Sequence, residues 1–168
     1  MMVKRRQFLI LGSMFGLSPY INARTSTKFD SAFKKIERTL EMVQEHMFPQ
    51  NSVLPAAQDM HVIQFVYETM RHPSFDRDIK AFVLEGTEEL INRTEGKFIT
   101  MSTEEKEKAL RAYEEIEYGS TWLERIMTLT MEGIYSDPIY GANIGELGWK
   151  SIHSYGGFPR PSTKYMGR

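Results

Sequence analysis

At 168 residues the chain holds one domain and hardly two, with 41% apolar and 26% charged residues, which is ordinary globular usage. The absence of cysteine excludes disulfides, c-type haem attachment, thiolate-held iron–sulfur clusters and a cysteine nucleophile. Lys4, Arg5 and Arg6 stand among the first 23 residues without an acid, so the remainder is net acidic and carries no electrostatic footprint for nucleic acid.

The first residues read as an address. Lys4, Arg5 and Arg6 form a basic head, Phe8 to Leu17 an apolar run, and Ser18-Pro19 its end, with a small-residue cleavage point at Asn22-Ala23. The run is about half the roughly twenty residues a bilayer span needs, which favours a signal peptide over an anchor. Arg5-Arg6-Gln7-Phe8-Leu9 matches the R-R-x-F-L pattern of twin-arginine export, with Arg5, Arg6, Phe8 and Leu9 as the signal residues. The alternatives are a general secretory signal with an incidental arginine pair, and retention as an N-terminal anchor. The expected division is a signal over 1–23, a helical domain over 24–135 and an irregular segment over 136–168.

The body predicts an all-α fold of about five helices. From Phe29 the apolar positions Phe29, Phe33, Ile36, Leu40, Val43 and Met47 recur at steps of three and four, one face of a helix that closes at Met47-Phe48-Pro49. A loop with Pro55 leads to a second helix from about Asp59 to Arg71, with Ile63, Val66, Tyr67 and Met70 inward. Pro73 starts a third, carrying Phe75, Ile79, Phe82, Val83, Leu90 and Ile91, and Gly96 stops it. Ser102-x-x-Glu105 is a capping box that opens a solvated fourth helix to about Tyr118. Gly119 then reads as an interruption. Thr121-x-x-Glu124 repeats the capping pattern and starts a last helix to Tyr135, with Trp122, Ile126, Leu129 and Gly133 on one side. No stretch alternates as a strand would.

Candidate chemistry is sparse. His46, His61, His72 and His153 show no H-x-x-x-H or H-E-x-x-H spacing, and Glu45-His46 and Asp59-x-His61 fall short of the three or four ligands a metal needs. The acids from Glu104 to Glu117 are interleaved with Lys106, Lys108 and Arg111, which reads as a solvated face. Gly141, Gly145 and Gly148 do not fit a phosphate-cradling loop. Asp137, His153 and Ser154 supply the residue types of a triad without its spacing. The expectation is no catalytic, cofactor-binding or metal-ligating residue in this chain.

Residues 136–161, "SDPIYGANIGELGWKSIHSYGGFPRP", are too rich in glycine and proline for a long helix and too apolar to stand in water. Composition leaves two readings open: a tail folded over its own bundle, or an element that docks on a larger partner. In the second, Tyr140 and Trp149 are the anchors, the residue types that carry interfaces, with Phe158 beside them. Asp137 and Pro138 turn the chain, Asn143 bonds loop backbone as Asn does in turns, and Gly141, Gly148 and Lys150 complete the docking element.

Met131-Glu132-Gly133, Ser136-Asp137-Pro138-Ile139-Tyr140-Gly141-Ala142-Asn143 and Gly148-Trp149-Lys150 together resemble the signature of the gluconate 2-dehydrogenase subunit 3 family. Met47-Phe48-Pro49 and the Pro55-Ala56-Ala57-x-Asp59 loop fit the same pattern. Ala142 stands where the family's loop has a second glycine, and the stretch after Trp149 is longer than the family's. The resemblance implies a small, cofactor-free subunit of a periplasmic dehydrogenase associated with the inner membrane. Its large partner would be an FAD-dependent flavoprotein of the glucose–methanol–choline type that oxidises a sugar, sugar acid or polyol. A c-type cytochrome subunit, carrying haem c, often accepts the electrons in such systems. The large subunit commonly lacks a signal, so the small one takes the folded complex to the twin-arginine translocase. Against this stand a stand-alone exported binding or structural protein and, last, a small enzyme using Asp137, Tyr140 and His153.

Overall fold

The computed structural model describes residues 18–164, with side chains from Lys28 onward. The export-signal residues Arg5, Arg6, Phe8 and Leu9 lie outside the described residues. Among the described residues there are six α-helices and no strand. They are α1 (Ser18–Met47), α2 (Val62–Arg71), α3 (Arg77–Arg93), α4 (Thr103–Glu114), α5 (Glu117–Tyr135) and the short α6 (Leu147–Ser151). Short 3-10 turns occupy Phe98–Thr100, Pro138–Tyr140 and Ile144–Glu146. None of the described helices is long and apolar enough to cross a membrane.

The apolar repeat of α1 does what its spacing requires: Phe29, Phe33, Ile36, Leu40 and Val43 are all buried. The helix is already formed at Ser18, so the expected junction at residues 23 and 24 falls within it. Proline is tolerated in a first turn, and no other proline or glycine intervenes before Pro49. α2 starts at Val62 rather than Asp59, because His61 takes a left-handed backbone (φ 54) and Met60 and His61 close turns onto Ala56 and Gln58. α3 starts at Arg77 rather than Pro73. Asp76 is its N-cap, the carboxylate accepting from the Asp78 and Ile79 amides at 2.8 and 2.9 Å. The capping box at Ser102 and Glu105 forms as the sequence predicts.

The α4–α5 corner corrects the sequence reading. α4 stops at Glu114, Ile116 turns extended, and α5 starts at Glu117. Gly119 therefore sits inside the first turn of α5 and interrupts nothing. A Cβ there would lie 1.9 Å from the Tyr113 carbonyl oxygen, so the glycine is what lets the two helices close. Thr121 is interior, not a cap, and its hydroxyl donates to the Glu117 carbonyl at 2.9 Å.

α5 is the central element, packed on α2, α3 and α4, while α1 covers α2 and α3. Trp122, fully buried, fills a notch at Gly86 of α3, where a Cβ would come within 2.0 Å of the indole. Its Nε1 donates to the Val83 carbonyl at 3.3 Å, and the Tyr113 hydroxyl donates to the Gly86 carbonyl at 3.0 Å, so both polar tips are satisfied inside the core. Burial pushes the Tyr113 hydroxyl well above its ordinary pKa.

Candidate functional site: a stapled C-terminal segment

A helix ends with carbonyls that have no partner within it. In α5 the next residues supply the partners. Ser136 turns out of the helix and its hydroxyl donates to Gly133 O at 3.0 Å. Asp137 accepts from the Ile139 amide at 3.0 Å and sets Pro138 at the start of a 3-10 turn, which Gly141 closes with φ 90. Trp149 of α6 then returns, and its Nε1 donates to the Tyr135 carbonyl at 2.8 Å. Gly148 crosses α5 so closely that a Cβ would lie 2.0 Å from Ile134 O.

Asn143 holds this return. It is fully buried, in a left-handed backbone (φ 50). Its Nδ2 donates to Ser136 O and its Oδ1 accepts from the Gly148 amide, both at 2.8 Å. One carboxamide thus joins the exit from α5 to the start of α6. Positive φ falls on Gly141 and Asn143, on either side of Ala142, so the position that departs from the family's loop has no need of glycine. Lys150 fastens the other end, Nζ donating to Gly145 O at 2.8 Å.

A residue absent from the sequence reasoning completes the site. Arg160 reaches back over the segment: Nε lies 3.0 Å from Asp137 Oδ2, Nη1 donates to Glu146 Oε1 at 3.2 Å, and the guanidinium lies 4.5 Å from the Trp149 ring centre. Gly156 also backs onto that ring, leaving no room for a Cβ. No spacing rule pairs Arg160 with Asp137. The available hint is the Pro159-Arg160-Pro161 frame, which restricts the chain around the arginine.

The sequence reasoning offers Tyr140 and Trp149 as outward anchors, and here the structure corrects it. Trp149 is only 8% exposed, buried by its own chain, and Tyr140 is half-buried. The exposed apolar side chains are others: Ile144, Leu147 and Ile152 at about half, Tyr155 at 73% and Phe158 at 87%. Tyr155 and Phe158 lie with ring centres 6.3 Å apart. The segment expected to be irregular is therefore ordered, contains α6, and turns its tryptophan inward and its later aromatics outward.

The other candidates do not converge. Asp137 is held by Arg160, while His153 and Ser154 are exposed beyond α6. His72 bonds Ser74 at 2.7 Å in a local turn. His46 Nε2 lies 2.7 Å from Glu107 Oε2 and pins α1 to α4; this contact first, and Arg111 second, hold the Glu107 carboxyl below its usual pKa. Among the described residues no three of His, Cys, Asp or Glu come together as a metal would require.

The architecture is that of a small all-helical protein whose terminal segment is capped, stapled and leaves five large apolar side chains exposed. A model of the gluconate 2-dehydrogenase subunit 3 family matches residues 34–157, and the chain belongs to that family. Membership makes it an accessory subunit of a dehydrogenase complex, one that associates with other subunits. No curated protein and no solved structure matches the chain.

Proposed function

We propose that this chain is the non-catalytic small subunit that escorts and stabilises a large FAD-dependent dehydrogenase subunit of the glucose–methanol–choline type, acting on a sugar, sugar acid or polyol in the periplasm. The observation that carries the reading is the outer side of residues 144–158. Ile144, Leu147, Ile152, Tyr155 and Phe158 concentrate exposed apolar surface on one short, pinned segment. Single exposed apolar residues are ordinary, but five within fifteen positions, with Tyr155 and Phe158 side by side, fit a protein–protein interface. Phe158 takes the anchoring part that residue type alone gave to Trp149. The Arg5-Arg6-Gln7-Phe8-Leu9 signal supplies the route, since twin-arginine export carries partners already folded and loaded with cofactor.

The test is co-expression with a large flavoprotein subunit encoded beside it, followed by affinity capture of the small subunit from the periplasm. The expected result is recovery of the FAD-loaded large subunit, dependent on the small one for export. In the same system Arg5→Lys with Arg6→Lys leaves both chains in the cytoplasm, because the guanidinium pair rather than charge alone is read. A large subunit that reaches the periplasm without the small one, or never co-purifies with it, overturns the reading.

A further inference from the structure

Among the described residues the methionines fall into two groups. Met42, Met60 and Met70 are at most 9% exposed, and their thioethers belong to the core. Met47 and Met101 are half-buried and pack against it. Met127 and Met131 differ: both lie on α5 and are 46% and 43% exposed. They stand four residues apart, neighbours on one face of the helix. The side of α5 that enters the core carries Trp122, Ile126, Leu129 and Gly133 instead. Glu124, Thr128 and Glu132, next to the pair along the helix, are exposed as well. Two soft, oxidisable sulfurs are thus carried together on a polar, solvent-facing surface, while the buried ones are shielded by packing.

Oxidation of methionine to its sulfoxide turns a flexible apolar side chain into a polar, chiral one. At Met60 or Met70 the new oxygen would be buried among apolar groups without a hydrogen-bond partner, which destabilises a core. On the outer face of α5 the same oxygen meets water. We propose that Met127 and Met131 form a reversible oxidation site, each taking one oxygen atom from hydrogen peroxide while the core methionines stay reduced and the helices stay folded. A sulfur lone pair attacks one peroxide oxygen, the S–O bond forms as the O–O bond breaks, and the transferred oxygen gives up its proton to the departing hydroxide. Sulfur is oxidised by two electrons and the peroxide is reduced to water. Methionine sulfoxide reductases reverse the change, one enzyme for each sulfoxide epimer, with two thiols oxidised to a disulfide and the oxygen leaving as water. The outer stripe of α5 is then the part of the body whose polarity an oxidant changes and a reductase restores. The proposal does not rest on the subunit's part in a dehydrogenase complex.

The experiment treats the full, folded chain with hydrogen peroxide and follows each methionine by peptide mass mapping, with circular dichroism on the same samples. Met127 and Met131 should both gain oxygen, at least about tenfold faster than Met42, Met60 and Met70. The helical signal should persist in chains that carry both sulfoxides. The two sulfoxide reductases with dithiothreitol should then return both residues to the thioether. Met127→Leu with Met131→Leu keeps the apolar bulk and removes both sulfurs, and should leave the melt unchanged through the peroxide dose that oxidises the wild-type pair. The mapping of the wild-type chain carries the test if that variant does not fold. The proposal is overturned if the core methionines oxidise as fast as the pair while the chain is folded, if either member of the pair is spared, if the doubly oxidised chain loses its helical signal, or if the reductases fail to restore it.

Discussion

The helical body and the C-terminal segment are held together by different physics. In the body, apolar side chains point inward and two glycines, Gly86 and Gly119, let Trp122 and Tyr113 seat without gaps. Its stability is burial and packing. The segment from Ser136 to Arg160 has almost the reverse plan. Its inner contacts are hydrogen bonds and charge: Asn143 to backbone, Trp149 to the last carbonyl of α5, Arg160 to Asp137 and Glu146. Trp149 turns inward, but Ile144, Leu147, Ile152, Tyr155 and Phe158 are left outside. The body completes itself, whereas the segment is fixed in shape with its hydrophobic surface unspent.

The strongest way to break this contrast is to remove one side chain from each part. Trp122→Ala empties the central notch and should cost about 3–5 kcal/mol, seen in chemical denaturation of the isolated chain as loss of the whole fold. Asn143→Ala removes both bonds of a buried carboxamide and puts alanine at positive φ, at a cost of about 2–4 kcal/mol. That loss should be local. Amide exchange should accelerate over 136–160 while α1 to α4 keep their protection; a common melt of both regions would show that the segment belongs to the body's cooperative unit.

The next changes act on the outer side. Phe158→Ser should leave the melt of the free chain within about 0.5 kcal/mol and weaken the proposed complex at least about tenfold, measured by calorimetry or capture. A drop in stability with unchanged affinity would place Phe158 among the residues that hold the segment. Arg160→Lys keeps the charge but loses the fork over Asp137, Glu146 and the Trp149 ring. We expect a cost of about 1 kcal/mol, read as faster exchange confined to the segment.

The smallest effect belongs to pH and lies in the body. Glu107 has its folded pKa below the ordinary 4.5, through His46 and then Arg111. The ionised form is therefore favoured by folding. Its contribution is present above the unfolded value and disappears as pH falls through the folded one. Glu107→Gln should lower stability slightly at neutral pH and converge with the wild type in acid. The Glu107 side chain is about half exposed, so about 0.5 M salt should shrink the difference.

Much of the body is legible in the sequence because its signals are unambiguous. A three-four repeat from Phe29 to Met47 has one reading, and Ser102 with Glu105 satisfies two backbone donors in a fixed geometry. Asp137 and Asn143 also act as their residue types promise. Gly119 was illegible for a physical reason: glycine marks a broken helix and a close approach with the same letter, and only the neighbouring Tyr113 carbonyl decides between them. Trp149 is ambiguous in the sequence because an aromatic that anchors a partner and one that packs on its own chain have the same composition around them. Beyond its flanking prolines Arg160 has no local signal that names its partners, since these lie 14 and 23 residues earlier in the chain.

The reach of Arg160 across the segment has a kinetic meaning. Ordering a free chain costs about 1–2 kcal/mol per residue in backbone entropy. A loose tail would meet that cost at the moment of association, and its complexes would form slowly or hold weakly for the area buried. With Arg160 closed over Asp137, Glu146 and Trp149, the ordering is completed during folding. An encounter with the proposed large subunit then needs no further ordering of this segment, and rates of the order of 10⁵–10⁷ M⁻¹s⁻¹ are expected. Unfastening the arginine should slow the approach of the two subunits before it shortens the life of their complex.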